Sequence, residues 1–120
     1  MNKVEINEFL MPLGVKYTKE GLEHYIHILQ LIGYKMLHPE VPESGFITAV
    51  AEENWIKALG VADTRNKEAF GIKLFHKFVV HVKQTPAYIS KMREDRLNKI
   101  LWERYTYLSF QKDHKFLKPV

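Results

Sequence analysis

Apolar residues recur along this chain at three- and four-residue steps, the period of an α-helix with one face turned inward. The clearest run is Leu22, Tyr25, Ile26, Leu29, Ile32 and Met36, with Thr18 placed to cap its start. Ahead of it, Asn2 followed three residues later by Glu5 opens a short helix that must end before Pro12-Leu13-Gly14. Pro39 and Pro42 bracket a loop, because proline lacks the amide donor and fixes φ. A third helix is expected from Ser44 to Gly60, with Ile47, Val50, Ala51, Trp55, Ala58 and Leu59 on its inner face and Gly60 as a left-handed stop. Asp63 or Thr64 caps a fourth helix reaching about Gln84, whose apolar residues cover more than one stripe, the mark of a central helix. Within it, Val79-Val80-His81-Val82 is β-branched enough to form a strand instead. Thr85-Pro86 begins a fifth helix lined by Ile89, Met92, Leu97, Ile100, Leu101 and Leu108, and the tail after about Lys112 is expected to be loose.

Short helices joined by short breaks imply an all-α fold, a compact bundle of about five helices in a single domain covering residues 1–120. A hydrophobic share of 46% with 27% charged residues fits a chain that buries its own core. The absence of cysteine excludes disulfides, thiolate metal sites and a cysteine nucleophile, and with a polar opening segment it favours a cytoplasmic protein. No apolar run approaches the ~18 residues that a membrane span requires.

Charge is distributed unevenly. Residues 1–60 hold 5 Lys and Arg against 8 Asp and Glu, whereas residues 61–120 hold 13 against 6. A net of −3 therefore faces a net of +7, and the basic half suits a polyanion or an acidic partner. An ordinary solvated basic surface accounts for the same skew equally well, since the lysines are spread along helices.

Catalytic chemistry finds little to work with. His24 and His27 lie three apart on one helix flank, a workable spacing for two metal ligands, but no third ligand is evident. Adjacent Glu52 and Glu53 point about 100° apart on a helix and read as a solvated face. His76 and His81 point in different directions, one of them toward the core. With no phosphate-binding glycine loop, nucleophile elbow or zinc motif, no enzymatic activity, metal or cofactor is expected. Trp102, Tyr105, Tyr107 and Phe110 interleave with Lys99, Arg104 and Lys112; helical spacing assigns most of these rings to the core, and an exposed remainder points to a dimer.

The segment Leu59-Gly60-Val61-Ala62-Asp63-Thr64-Arg65 has the layout of a helix-turn-helix joint, an amphipathic helix, a glycine turn and a polar helix start. Against the general pattern of that motif, Ile56 stands where a small residue is usual and Asn66 where an apolar one is expected. From about Ile6 to Leu74 the chain resembles the C-terminal DNA-binding domain of the master sporulation response regulator of endospore-forming bacteria. The likeness rests on Leu13-Gly14-Val15 with Gly21 seven residues after Gly14, on Ile47-Thr48, and on Gly60, Thr64, Arg65, Ala69, Phe70 and Leu74 in ungapped register. It departs at Glu52–Ile56 and at Asn66–Gly71, where the family's own signatures are absent.

The resemblance implies duplex DNA as partner and a helix-turn-helix at about residues 46–84, with Arg65 as a DNA contact and Thr64 facing a phosphate. Lys67 and Lys73 join them as candidates on charge and position. The expected function is a small helical DNA-binding protein, a transcriptional regulator. The alternative is a helical adaptor or inhibitor acting through protein contacts, with the helix at 86–111 as the surface for a homodimer or another protein.

Overall fold

The computed structural model describes residues 1–14, 16–71 and 73–113, together with their side chains except those of 68–71 and 111–113. Every regular element among them is helical: α1 (Lys3–Leu10), α2 (Lys19–Leu37), α3 (Gly45–Ala51), α4 (Trp55–Val61), α5 (Thr64–Gly71), α6 (Leu74–Lys83) and α7 (Pro86–Asp113), with a 3-10 turn at Met11–Leu13. The all-helical expectation holds, whereas the number of helices is larger than five. The tail expected to be loose falls almost wholly outside the described residues.

Most helix starts are made by the residues the pattern names. Asn2 Oδ1 accepts from the Glu5 amide at 2.9 Å, Thr18 Oγ1 from Gly21 at 3.0 Å, Ser44 Oγ from Ile47 at 3.3 Å and Asp63 Oδ1 from Asn66 at 2.8 Å. Each satisfies an amide that the first helical turn leaves without an intrahelical partner. Thr85 Oγ1 caps α7 from the Tyr88 amide at 3.4 Å, and Pro86 follows as the first helical residue. Gly14, at φ 66°, turns the chain out of the 3-10 segment through a left-handed conformation that costs a side-chain-bearing residue about 1 kcal/mol or more.

Two expected helices are each broken once. The stretch from Ser44 to Gly60 splits at Glu52–Asn54, where Glu53 takes a left-handed conformation (φ 59°) and the Asn54 amide reaches back to the Ala49 carbonyl at 2.8 Å. Asn54 Oδ1 then caps α4 from the Lys57 amide. Gly60 is accordingly an interior residue of α4 rather than its stop; the helix ends at Val61, and Ala62 is extended. The expected helix from Asp63 to Gln84 divides into α5 and α6 at Lys73, which is also left-handed (φ 57°). Val79 to Val82 remain helical within α6, because Leu74, Phe75, Phe78, Val79 and Val82 bury one helical face there.

Contacts divide the chain into two units, Met1–Tyr88 and Ile89–Val120. In the first, α2 packs on α1, α3 and α6, α3 also meets α4 and α6, and α5 meets α6. Phe75, Phe78, Ile6, Leu29, Ile32, Ile47, Leu74 and Val50 are almost completely buried in one core, each contributing roughly 1.5–3 kcal/mol of apolar burial. Phe9 meets Phe78 edge-on at 5.3 Å, and Phe46 meets Phe75 likewise at 5.4 Å.

In the second unit, the described part of α7 carries Trp102 at 67%, Tyr105 at 62%, Tyr107 at 52% and Phe110 at 51% exposure. The expectation that these rings are mostly core is therefore wrong. Trp102 and Tyr105 do share a side of the helix and stack at 5.8 Å, as their spacing implies, but among the described residues neither belongs to the buried core.

Candidate nucleic-acid interface

Helices α4 and α5 are joined by only Ala62 and Asp63, and Ala62 is buried. The chain enters α5 with Asp63 as the cap, so a carboxylate already sits at the positive end of that short helix. Two side chains of α2 then hold the first turn. Tyr25 donates its hydroxyl to the Arg65 carbonyl at 2.9 Å, and His24 Nε2 lies 2.9 Å from Asn66 Oδ1. For that second contact to be a hydrogen bond, Nε2 must carry the proton and Asn66 accept it.

Asn66 is only 5% exposed, the one buried polar residue among the described side chains. It points inward, and His24 compensates for its polarity. Neither role follows from helical periodicity, because the contact joins positions 42 residues apart. With Asn66 pointing inward, residues 65 and 67 project about 100° to either side of it and residue 64 about 160° away. Thr64, Arg65 and Lys67 are all exposed, flanking and crowning the outer surface of the turn. Lys73 is exposed as well, but it is the left-handed residue just ahead of α6, so the four candidate residues do not share one continuous helix.

The surroundings are mixed. Lys57 and Lys77 are exposed, and Glu53 forms an ion pair with Lys83, whose hydrogen bond raises the Lys83 pKa. On α4, Ile56 is 90% exposed and Leu59 48%, an apolar surface that an inward-facing helix would have hidden. Two other histidines lie against aromatic rings. His81 lies 5.1 Å from the Phe9 ring, and His76 meets Trp55 edge-on at 5.8 Å. His27 lines a small depression with Lys3, Glu23, Ile26 and Gln30. Among the described residues no three His, Asp or Glu side chains gather as a metal site.

Comparison with protein-family models, curated proteins and solved structures found no match to this chain.

Proposed function

We propose that this chain binds duplex DNA through the first turn of α5, with Arg65 and Lys67 on phosphates or base edges, Thr64 on a phosphate, and Lys73 on the backbone beyond. The observation that carries the reading is the two-sided construction of that turn. Its inner side is tied to α2 through Asn66 and the Arg65 carbonyl, while Thr64, Arg65 and Lys67 are exposed. A turn held in this way presents its cations with little further loss of backbone freedom on binding. The net of +7 on residues 61–120 and the resemblance over residues 6–74 support the same reading.

Electrophoretic mobility shift with random-sequence duplex tests it. Arg65→Ala and Lys67→Ala should each weaken binding about tenfold, and Lys3→Ala, at an exposed position of α1, should leave it unchanged. Wild-type affinity in both α5 variants, or no binding at all, rejects the proposal.

A second reading, an adaptor or inhibitor that contacts another protein, is favoured by Ile56 and Leu59, which share a face of α4 at three-residue spacing and are exposed. It predicts a stoichiometric protein partner that co-purifies with the wild type and is lost on Ile56→Asp.

A further inference from the structure

After Glu68 the next carboxylate residue in the chain is Glu94, so Lys73, Lys77 and Lys83 lie in a stretch with no Asp or Glu of its own, and that stretch contains all of α6. Burial sorts α6 into two sides. At about 100° per residue, with Leu74 at zero, the buried Leu74, Phe78, Val82, Phe75 and Val79 fall between zero and about 140°. Lys83, His76, Val80, Gln84 and Lys77 are all exposed and fall between about 180° and 300°, on the opposite side. That outer face is cationic and polar, interrupted by one apolar side chain, Val80 at 40% exposure. Lys73 and Lys77 have no carboxylate partner among the described residues, whereas Lys83 is held by Glu53 from the joint between α3 and α4. Helix α6 packs on α2 and on α5, and the first turn of α5 is tied to α2 as well, so the outer sides of α5 and α6 adjoin.

We propose that the outer face of α6 is a second contact to the duplex, one that binds the sugar-phosphate backbone rather than the bases. It rests on the reading that this chain binds duplex DNA, and it adds an element to the first turn of α5. Charge complementarity selects the occupant. A duplex carries one negative charge per ~1.7 Å of axis with a condensed counterion atmosphere, and a lysine face without carboxylates of its own gains free energy by displacing those counterions. The residue type selects backbone over base. Lysine is a flexible point charge suited to a phosphate, whereas the rigid bidentate fork belongs to arginine, which α6 lacks. Lys73 and Lys77, about 6 Å apart in helix rise, can each take a separate phosphate. Lys83 lies at the edge of the same face with its charge engaged by Glu53, so the ion pair limits how many of the three lysines contribute.

The test measures the affinity of the full chain for two duplexes of unrelated sequence by fluorescence anisotropy over a series of salt concentrations, with circular dichroism confirming that each variant keeps its helix content. Lys77→Ala should weaken binding to both duplexes alike, by about three- to tenfold, and make the fall of log K with log salt shallower by about 0.9. Glu53→Gln releases Lys83 and should tighten binding about threefold with a steeper slope, and adding Lys83→Ala should abolish that gain. Wild-type affinity and slope in Lys77→Ala overturns the proposal, as does a loss confined to one duplex, which is the mark of a base contact. Unchanged binding in Glu53→Gln overturns the part given to Lys83. The two contacts fail separately. A loss in Lys77→Ala with none in Arg65→Ala or Lys67→Ala supports α6 and rejects the α5 turn, the converse rejects α6 alone, and a wild type that binds neither duplex rejects both.

Discussion

The contact between His24 and Asn66 lends itself to a double-mutant cycle, because its energetics are asymmetric. Asn66 is 5% exposed, while His24 is half-buried beside it on α2. Replacing His24 by leucine leaves the Asn66 amide buried without its partner, a cost of about 2 kcal/mol. Replacing Asn66 by leucine strands the His24 ring nitrogen, but water reaches that half-buried ring, so about 1 kcal/mol is expected. Making both changes removes donor and acceptor together, adds apolar contact, and should be nearly neutral. The double variant should thus be about 2–3 kcal/mol more stable than the sum of the singles predicts. Urea unfolding followed by circular dichroism gives these differences, and thermal melts should show about 4–8 °C per kcal/mol for a unit of this size. Additivity within about 0.5 kcal/mol would refute the claim that the two residues are coupled, and with it the account of how α5 is held.

Three further outcomes follow from single features. The Tyr17 hydroxyl is buried without a hydrogen-bond partner among the described residues, and burial, then Tyr25, raises its pKa. Tyr17→Phe should therefore be neutral or stabilise by up to about 1 kcal/mol in urea unfolding, and a loss above about 1 kcal/mol would contradict the assignment. Lys73→Gly should raise thermal stability by about 1 kcal/mol by relieving a left-handed residue, yet weaken DNA binding if Lys73 contacts phosphate; a lower melting temperature would count against the strained assignment. The Lys83 pKa is raised, chiefly by its hydrogen bond to Glu53, so the pair's contribution is complete below pH 10.5 and is lost as pH rises through the folded value. Both side chains are about 40% exposed, which limits the effect to under about 0.5 kcal/mol. Glu53→Gln should therefore lower stability by that small amount at neutral pH and flatten the profile in the alkaline window, where variant and wild type converge.

Features encoded locally were legible in the sequence. Asn2, Thr18, Ser44, Asp63 and Thr85 cap helices as their residue types and spacing indicate, since capping needs only a side-chain oxygen and an amide two or three positions on. The buried stripe of α2 was equally plain. The breaks at Glu53 and Lys73 were not, because neither is glycine and nothing local favours a left-handed glutamate or lysine. Gly60, the residue that looked like a stop, continues its helix instead. For the candidate interface, the outward placement of Thr64, Arg65 and Lys67 could be read from the joint. The anchors could not, because Tyr25 and His24 reach residues 40 and 42 positions away. The rings of α7 were misassigned for a similar reason: helical spacing tells which residues share a side, and not whether another element covers it.

Salt dependence of duplex affinity is the most direct test of the outward cationic turn. Each phosphate contact releases condensed counterions, so log K should fall linearly with log salt concentration, by about 0.9 per contact. The wild-type chain is expected to show a steep slope, and Arg65→Ala with Lys67→Ala together should make it shallower by about 1–2. An unchanged slope in the double variant, at comparable helix content, would contradict the assignment of this turn to DNA.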